Sequence, residues 1–152
     1  MVLKINISEK SGKTYHLELD NQVFIDKKLH EKIEGKDISK DLEGYEFEIT
    51  GATDNSGFTL MENIEGTVLK KVLLGYGKGM HKRVRREGKK KVSNFKPKGL
   101  RLRKTVRGNT ISEEVSQINL KIIKEGNKSL KDIFPDQNLP KEKKEEKAEK
   151  QE

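Results

Sequence analysis

The chain has 152 residues, which suits one domain and is too short for two full ones. Its 33 Lys and Arg outweigh 25 Asp and Glu to leave a net charge of +8, and at 31% its hydrophobic share is low enough that the core is small or part of the chain is unpacked. The chain lacks any run of 18 apolar residues, which excludes a transmembrane helix, and lacks cysteine, which excludes disulfides, thiolate metal sites and a Cys nucleophile.

The opening MVLKINISEK alternates apolar and polar residues and has no apolar signal-peptide region, so the expected compartment is the cytoplasm. Val2–Ile7 reads as a strand with Leu3, Ile5 and Ile7 on one face. Ser11-Gly12-Lys13 reads as a hairpin turn, with Thr14–Leu19 as the return strand. Asp20 or Asn21 could cap a helix over Gln22–Ile33 that stops at Gly35; a short helix followed by a strand fits nearly as well. Asp41–Gly44 is a second turn. Tyr45–Thr50 is the clearest strand, and Gly51–Gly57 reads as a loop dense in turn formers. Val68–Leu74 is a further strand, ending in Gly75-Tyr76-Gly77-Lys78-Gly79.

From there to Gly108 the apolar residues are sparse and aperiodic, so the segment reads as a loop or extended arm. Thr110–Glu113 matches a capping box that would open one turn of helix. Gln117–Ile123 is the last strand. The tail from Lys141 holds only Lys, Glu, Gln and one Ala. It has no apolar face to offset the entropy of ordering, so it is disordered or a lone helix held by i,i+4 pairs. Short strands, frequent turns and little helix point to a mainly β fold, a small barrel or sandwich with one or two short helices.

The charge is unevenly placed. Residues 1–75 carry 10 Lys and 14 acids, residues 76–108 carry 14 basic residues and one acid, and residues 109–152 carry 9 Lys and 10 acids. All six arginines lie between Arg83 and Arg107. Uncompensated like charges repel one another, so a polyanionic partner is the economical explanation. The basic residues Lys78, Lys82, Arg83, Arg85, Arg86, Lys89, Lys90, Lys91, Lys96, Lys98, Arg101, Arg103, Lys104 and Arg107 are the candidate nucleic-acid contacts. Arg offers a planar fork to phosphate and Lys an adjustable point charge. Gly79, Gly88, Gly99 and Gly108 would let the arm bend, and Tyr76 and Phe95 could stack on an unpaired base. A solvated charge run or a localisation signal is the bland alternative. Membrane binding is disfavoured because the stretch lacks an amphipathic apolar face.

Other chemistry is thin. The Gly75–Gly79 loop is followed by Met80-His81-Lys82 rather than by a Ser or Thr opening a helix, so it fits a flexible turn better than a phosphate cradle. His16, His30 and His81 fall in three different elements without ligand spacing. Asp54, in its Gly-rich loop, is explained by an Asx turn. No catalytic residue, metal site, cofactor or small-molecule substrate is expected.

At Gly44-Tyr45, Ile49-Thr50-Gly51, Asp54–Met61, Val72-Leu73-Leu74 and above all Arg103-Lys104-Thr105-Val106-Arg107-Gly108-Asn109-Thr110-Ile111-Ser112 with Gln117–Leu120, the chain resembles a known family. That family is the archaeal and eukaryotic type of small-subunit ribosomal protein six, unrelated to its bacterial namesake. Lys27-Lys28-Leu29 and Ile33-Glu34-Gly35 also fit its pattern of a short turn leading into a strand, and the resemblance covers roughly residues 2–134. It implies a six-stranded type of β-barrel bound to 16S-type ribosomal RNA at the lower end of the small subunit, beside other ribosomal proteins, with no enzymatic activity. It places Arg101, Arg103, Lys104 and Arg107 in the family's basic run, and Lys96 and Lys98 in its Phe-Lys-Pro-Lys segment.

Three departures stand out. Thr59-Leu60-Met61 replaces the usual Pro before Met, Lys82–Ser93 reads as an insertion, and the tail lacks the serines of the eukaryotic members. The short form resembles archaeal members. The expectation is therefore a barrel domain over residues 1–134, carrying a basic arm over 76–108 that is mobile until RNA orders it, and a flexible Lys/Glu tail over 135–152. Arg101, Arg103 and Arg107 would be replaceable without unfolding the barrel. A free RNA- or DNA-binding regulator using the same arm is the alternative, and a nucleotide-dependent enzyme is a more distant one.

Overall fold

The computed structural model describes residues 2–81, 84–94 and 96–138. The expected Lys/Glu tail from Lys141 lies outside the described residues, as do Lys82, Arg83 and Phe95.

The first hairpin forms where clean alternation places it. Strands β1 (Val2–Ser8) and β2 (Thr14–Asp20) pair antiparallel. Leu3, Ile5 and Ile7 turn inward and are fully buried. The last long strand, β9 (Val115–Lys124), runs parallel to β1 and antiparallel to β4 (Glu46–Asp54), with β3 (Lys32–Glu34) at the far edge. The five-stranded sheet has the order β2-β1-β9-β4-β3, so the two ends of the domain meet in its middle. Its inner face joins Phe47, Ile49, Ile118, Leu120 and Ile122 to Phe24, Leu29, Leu42, Leu60 and Ile111. Burying these side chains is the main source of stability.

Strand β4 outruns its predicted end at Thr50. The ladder to β9 shifts between Ile49 and Gly51, leaving Thr50 unpaired in the register while its hydroxyl donates to the Asn119 carbonyl at 3.0 Å. This bulge breaks the alternation, yet pairing resumes and reaches Asp54. The loop predicted from Gly51 therefore begins only after Asp54.

Two predicted helices do not form as such. Over Gln22–Ile33 there is a single 3₁₀ turn (Asn21–Phe24) and then an irregular path into β3, the short-helix-then-strand arrangement. Asp26 and His30 take positive φ (65° and 69°), where a right-handed helix cannot continue. After Thr110 the chain makes only a turn, with the Val115 amide bonded to the Ser112 carbonyl. The helices that do form are single turns: α1 (Gly35–Ile38), a 3₁₀ turn (Lys40–Leu42) and α2 (Leu130–Ile133).

The expected mainly β architecture is present, but the ladder does not close into a barrel. A separate two-stranded ribbon, β5 (Leu69–Gly75) with β8 (Arg101–Arg107), is linked to the main sheet by way of the Thr59-Leu60 segment, through single bridges from Thr53 to Thr59 and from Leu60 to Arg107. At the first of these, the Leu60 amide donates to the Ala52 carbonyl, a bond the usual Pro could not make. Gly108 ends the ribbon against the Gly66 carbonyl, where an added Cβ would lie 1.9 Å away. The outer edge of β2 is covered by the chain beyond α2. The Gln137 side chain bonds both the amide and the carbonyl of His16 at 2.7 Å, and Asn138 donates to the Thr14 carbonyl at 2.9 Å.

Candidate nucleic-acid interface

The segment expected to be an irregular arm is partly a preformed ribbon. Residues opposite one another in an antiparallel pair share a face. One face of the β5–β8 ribbon therefore carries Arg101 beside Gly75, Arg103 beside Leu73, Thr105 beside Lys71 and Arg107 beside Leu69. The other carries Leu102 with Leu74, Lys104 with Val72 and Val106 with Lys70. The second face turns inward: Val106 and Met80 are fully buried, and the turn at Gly79 packs within van der Waals reach of Leu74 and Val106. Arg101, Arg103 and Lys71 are exposed on the first face.

Between the two strands of the ribbon, the described part of the inserted segment folds as a short hairpin, β6 (Arg86–Glu87) with β7 (Lys90–Lys91). Gly88 turns it with φ +58°. Glu87 faces Lys90, but Arg86 faces Lys91, a like-charge pair that disfavours the hairpin without an outside anion. Arg85, Lys89 and Lys98 are exposed. Lys96 stands 4.8 Å over the Tyr76 ring, whose edge meets His81 at 6.0 Å, so Tyr76 already has neighbours and is not an open stacking platform. Gly77 and Met80 exchange backbone hydrogen bonds, which uses the amides that a phosphate cradle would need. Lys78 is held by Glu62 at 3.1 Å. Among the described residues no ion pair engages Arg85, Arg86, Lys89, Lys90, Lys91, Lys96, Lys98, Arg101, Arg103 or Lys104.

Arg107 is the exception among the candidates. It is 6% exposed and faces into the molecule. Its Nε donates to Asp54 Oδ2 at 3.1 Å, Nη1 donates to the Thr67 carbonyl at 2.9 Å, and Nη2 pairs with Glu114. Asp54 is itself buried, and its Oδ1 accepts from the amides of Ser56 and Phe58 at 2.9 and 2.8 Å, the Asx turn expected of it. Arg107 is therefore a structural anchor that fixes the base of the ribbon to the end of β4. The expectation that it could be replaced without harm to the fold is corrected by its burial among these partners.

The chain matches the model of a family described as Ribosomal protein S6e over residues 3–135. It belongs to the S6e family of ribosomal proteins. A protein of Methanocaldococcus jannaschii named small ribosomal subunit protein eS6 is 40% identical over 127 residues, covering 82% of this chain and 84% of the relative. Proteins of the same name from Methanococcus maripaludis strain C6 and Nanoarchaeum equitans are 39% identical over 127 residues and 36% over 135. These alignments cover 83% and 88% of this chain, and 90% of each relative.

Within this S6e fold, sequence reasoning missed Lys70 and Lys71, which lie in the net-acidic half of the chain and reach the ribbon only through strand pairing. Their place inside the Val68–Leu74 run expected to be a strand was the available signal. It also missed a polar node beside the ribbon's base, where His30 stands between Glu48 at 2.8 Å and Glu62 at 3.1 Å, and Glu62 in turn holds Lys78.

Asp54→Ala leaves the buried Arg107 with Glu114 as its remaining carboxylate and removes two turn hydrogen bonds; unfolding in urea is expected to show a loss of about 3 kcal/mol with an unchanged slope. The His30 pKa is raised by its hydrogen bonds to Glu48 and Glu62. Its stabilising contribution is complete below the ordinary histidine value of 6.5, while Glu62 stays ionised, and is lost as pH rises through the raised folded-state value. The melting temperature of the native protein should thus exceed that of His30→Gln at mildly acid pH, and the gap should close in alkaline buffer. A gap independent of pH would contradict the node.

Proposed function

We propose that the protein is a structural constituent of the small ribosomal subunit, acting in the cytoplasm within the ribosome. It is not an enzyme: it binds folded 16S-type ribosomal RNA and keeps it folded, beside neighbouring ribosomal proteins. The observation that carries this reading is the run of exposed cations from Arg85 to Arg103, unpaired among the described residues, on a chain of the S6e family. Arg85, Arg86 and Lys89–Lys91 on the small hairpin, Lys96 and Lys98 on the link, and Arg101 and Arg103 on the ribbon's outer face are the residues assigned to phosphate, while Lys104 stands half-buried on the inner face beside Val72. Lys82 and Arg83 belong to the same run by sequence, and Lys78 contributes from its pair with Glu62. Phosphate contacts of this kind set affinity and register, and base specificity comes from a few side chains at unpaired bases.

Binding to purified small-subunit RNA should fall steeply with salt, about 10³–10⁵-fold between 50 and 200 mM if roughly six to ten phosphates are engaged. Replacing Arg85, Arg86, Arg101 and Arg103 together with Ala should flatten that dependence while leaving the urea unfolding midpoint in place. An unchanged salt dependence would remove these residues from the interface.

A further inference from the structure

We infer that β5 supplies half of the RNA-binding face. Lys71 and Leu73 stand with Arg101 and Arg103 on one rigid ribbon surface, on which Lys71 contacts phosphate and Leu73 lies against the sugar or base of one nucleotide. The inference rests on the RNA-binding reading above and specifies how that reading is carried out.

The register puts the four side chains on one face, with Leu73 directly opposite Arg103 and Lys71 one step further from the tip. That part of the face bears cations of one sign, and among the described residues no ion pair engages Lys71, Arg101 or Arg103. Leu73 is 58% exposed, although Leu74, its neighbour in sequence, is half-buried on the inner face. An apolar side chain ringed by cations contributes little to folding. It gains by burial only when something covers it, and whatever covers it must also satisfy three positive charges. The chemistry that does both is a phosphate-sugar chain, whose anionic and apolar parts alternate at short range.

The same face has a boundary. Toward its base, Leu69 pairs with Arg107, whose partners Asp54 and Glu114 place carboxylates beside it. Negative charge there repels phosphate, which limits the RNA-bearing length to the stretch from Arg101 to Thr105, about 13 Å at the rise of an antiparallel strand. Anchored by Arg107, this stretch is ordered before RNA arrives. Binding it costs less conformational entropy than ordering a free arm.

The test uses the full-length protein, purified small-subunit RNA, and affinity measured across a salt series. Lys71→Ala should reduce the slope of log affinity against log salt by about 0.7–0.9, the value of one phosphate contact. Leu73→Gln should weaken binding about five-fold at every salt concentration without altering the slope, because it removes apolar contact and no charge. Urea unfolding midpoints serve as the folding control, since both side chains are exposed. If Arg101→Ala/Arg103→Ala flattens the slope while both β5 variants bind like the native protein, the inference fails and the RNA reading stands. If neither set matters, the RNA reading fails with it. If Leu73→Gln binds RNA normally but lowers occupancy in assembled subunits, the leucine meets a protein and the inference is overturned.

Discussion

Arg107 is buried between Asp54 at the end of β4 and Glu114 just before β9, and it belongs to the same strand as Arg101 and Arg103. A guanidinium taken out of water destabilises the fold unless its charge and donors are met, so this position commits the chain to one arrangement. β8 is held in a fixed direction relative to the end of β4, and β5 pairs along it. The exposed cations are presented at a set spacing. The long-range link matters because, among the described residues, the ribbon's ladder reaches the five-stranded sheet only by way of the Thr59-Leu60 segment and its single bridges. The buried pair adds a charged tie to the packing of Val106 and Met80 and to the backbone bonds that join Arg107 to Thr59 and Met61.

The division of charge follows from the same geometry. The sheet draws its core from one face, with Leu3, Ile5, Phe47, Ile49, Ile118 and Leu120 inside, and this modest core carries the acid-rich first half of the chain. Acids from both sides of the basic run neutralise cations near the ribbon's origin: Asp54 and Glu114 hold Arg107, and Glu62 holds Lys78. Farther along, from Arg85 through Arg103, such internal partners are missing among the described residues. The molecule thus changes from self-compensated to uncompensated over the length of one ribbon. Under the RNA-binding proposal, this polarity gives the ligand both a place to bind and a place to stop.

Strands with unbroken alternation were legible in the sequence. Leu3-Lys4-Ile5-Asn6-Ile7 and Phe47-Glu48-Ile49 declare their buried faces directly. Beyond Thr50 the signal failed because a bulge spoils the period while preserving the pairing, and Gly51 then reads as a turn. β8 was hidden differently. Leu102 and Val106 alternate with arginines, but Lys104 occupies the inward register between them, so no apolar period survives. The helix over Gln22–Ile33 failed because positive φ at Asp26 and His30 is invisible in composition. Charge density drew attention to the basic run, most of which is exposed, but could not tell Arg107 from Arg103. The distinction depends on Asp54, 53 positions away, which a one-dimensional reading could only assign to a local turn.

The most direct test of the whole account is sedimentation of lysate from cells carrying tagged native protein or its Arg101→Ala/Arg103→Ala variant, at moderate magnesium and low salt. The native protein should travel with the small subunit and leave it only with very high salt or ribonuclease, and the variant should shift toward the top of the gradient. Native protein found only at the top would contradict a ribosomal role and favour a free nucleic-acid-binding regulator. A variant that stays with the subunit as firmly as the native protein would contradict the ribbon as its means of attachment.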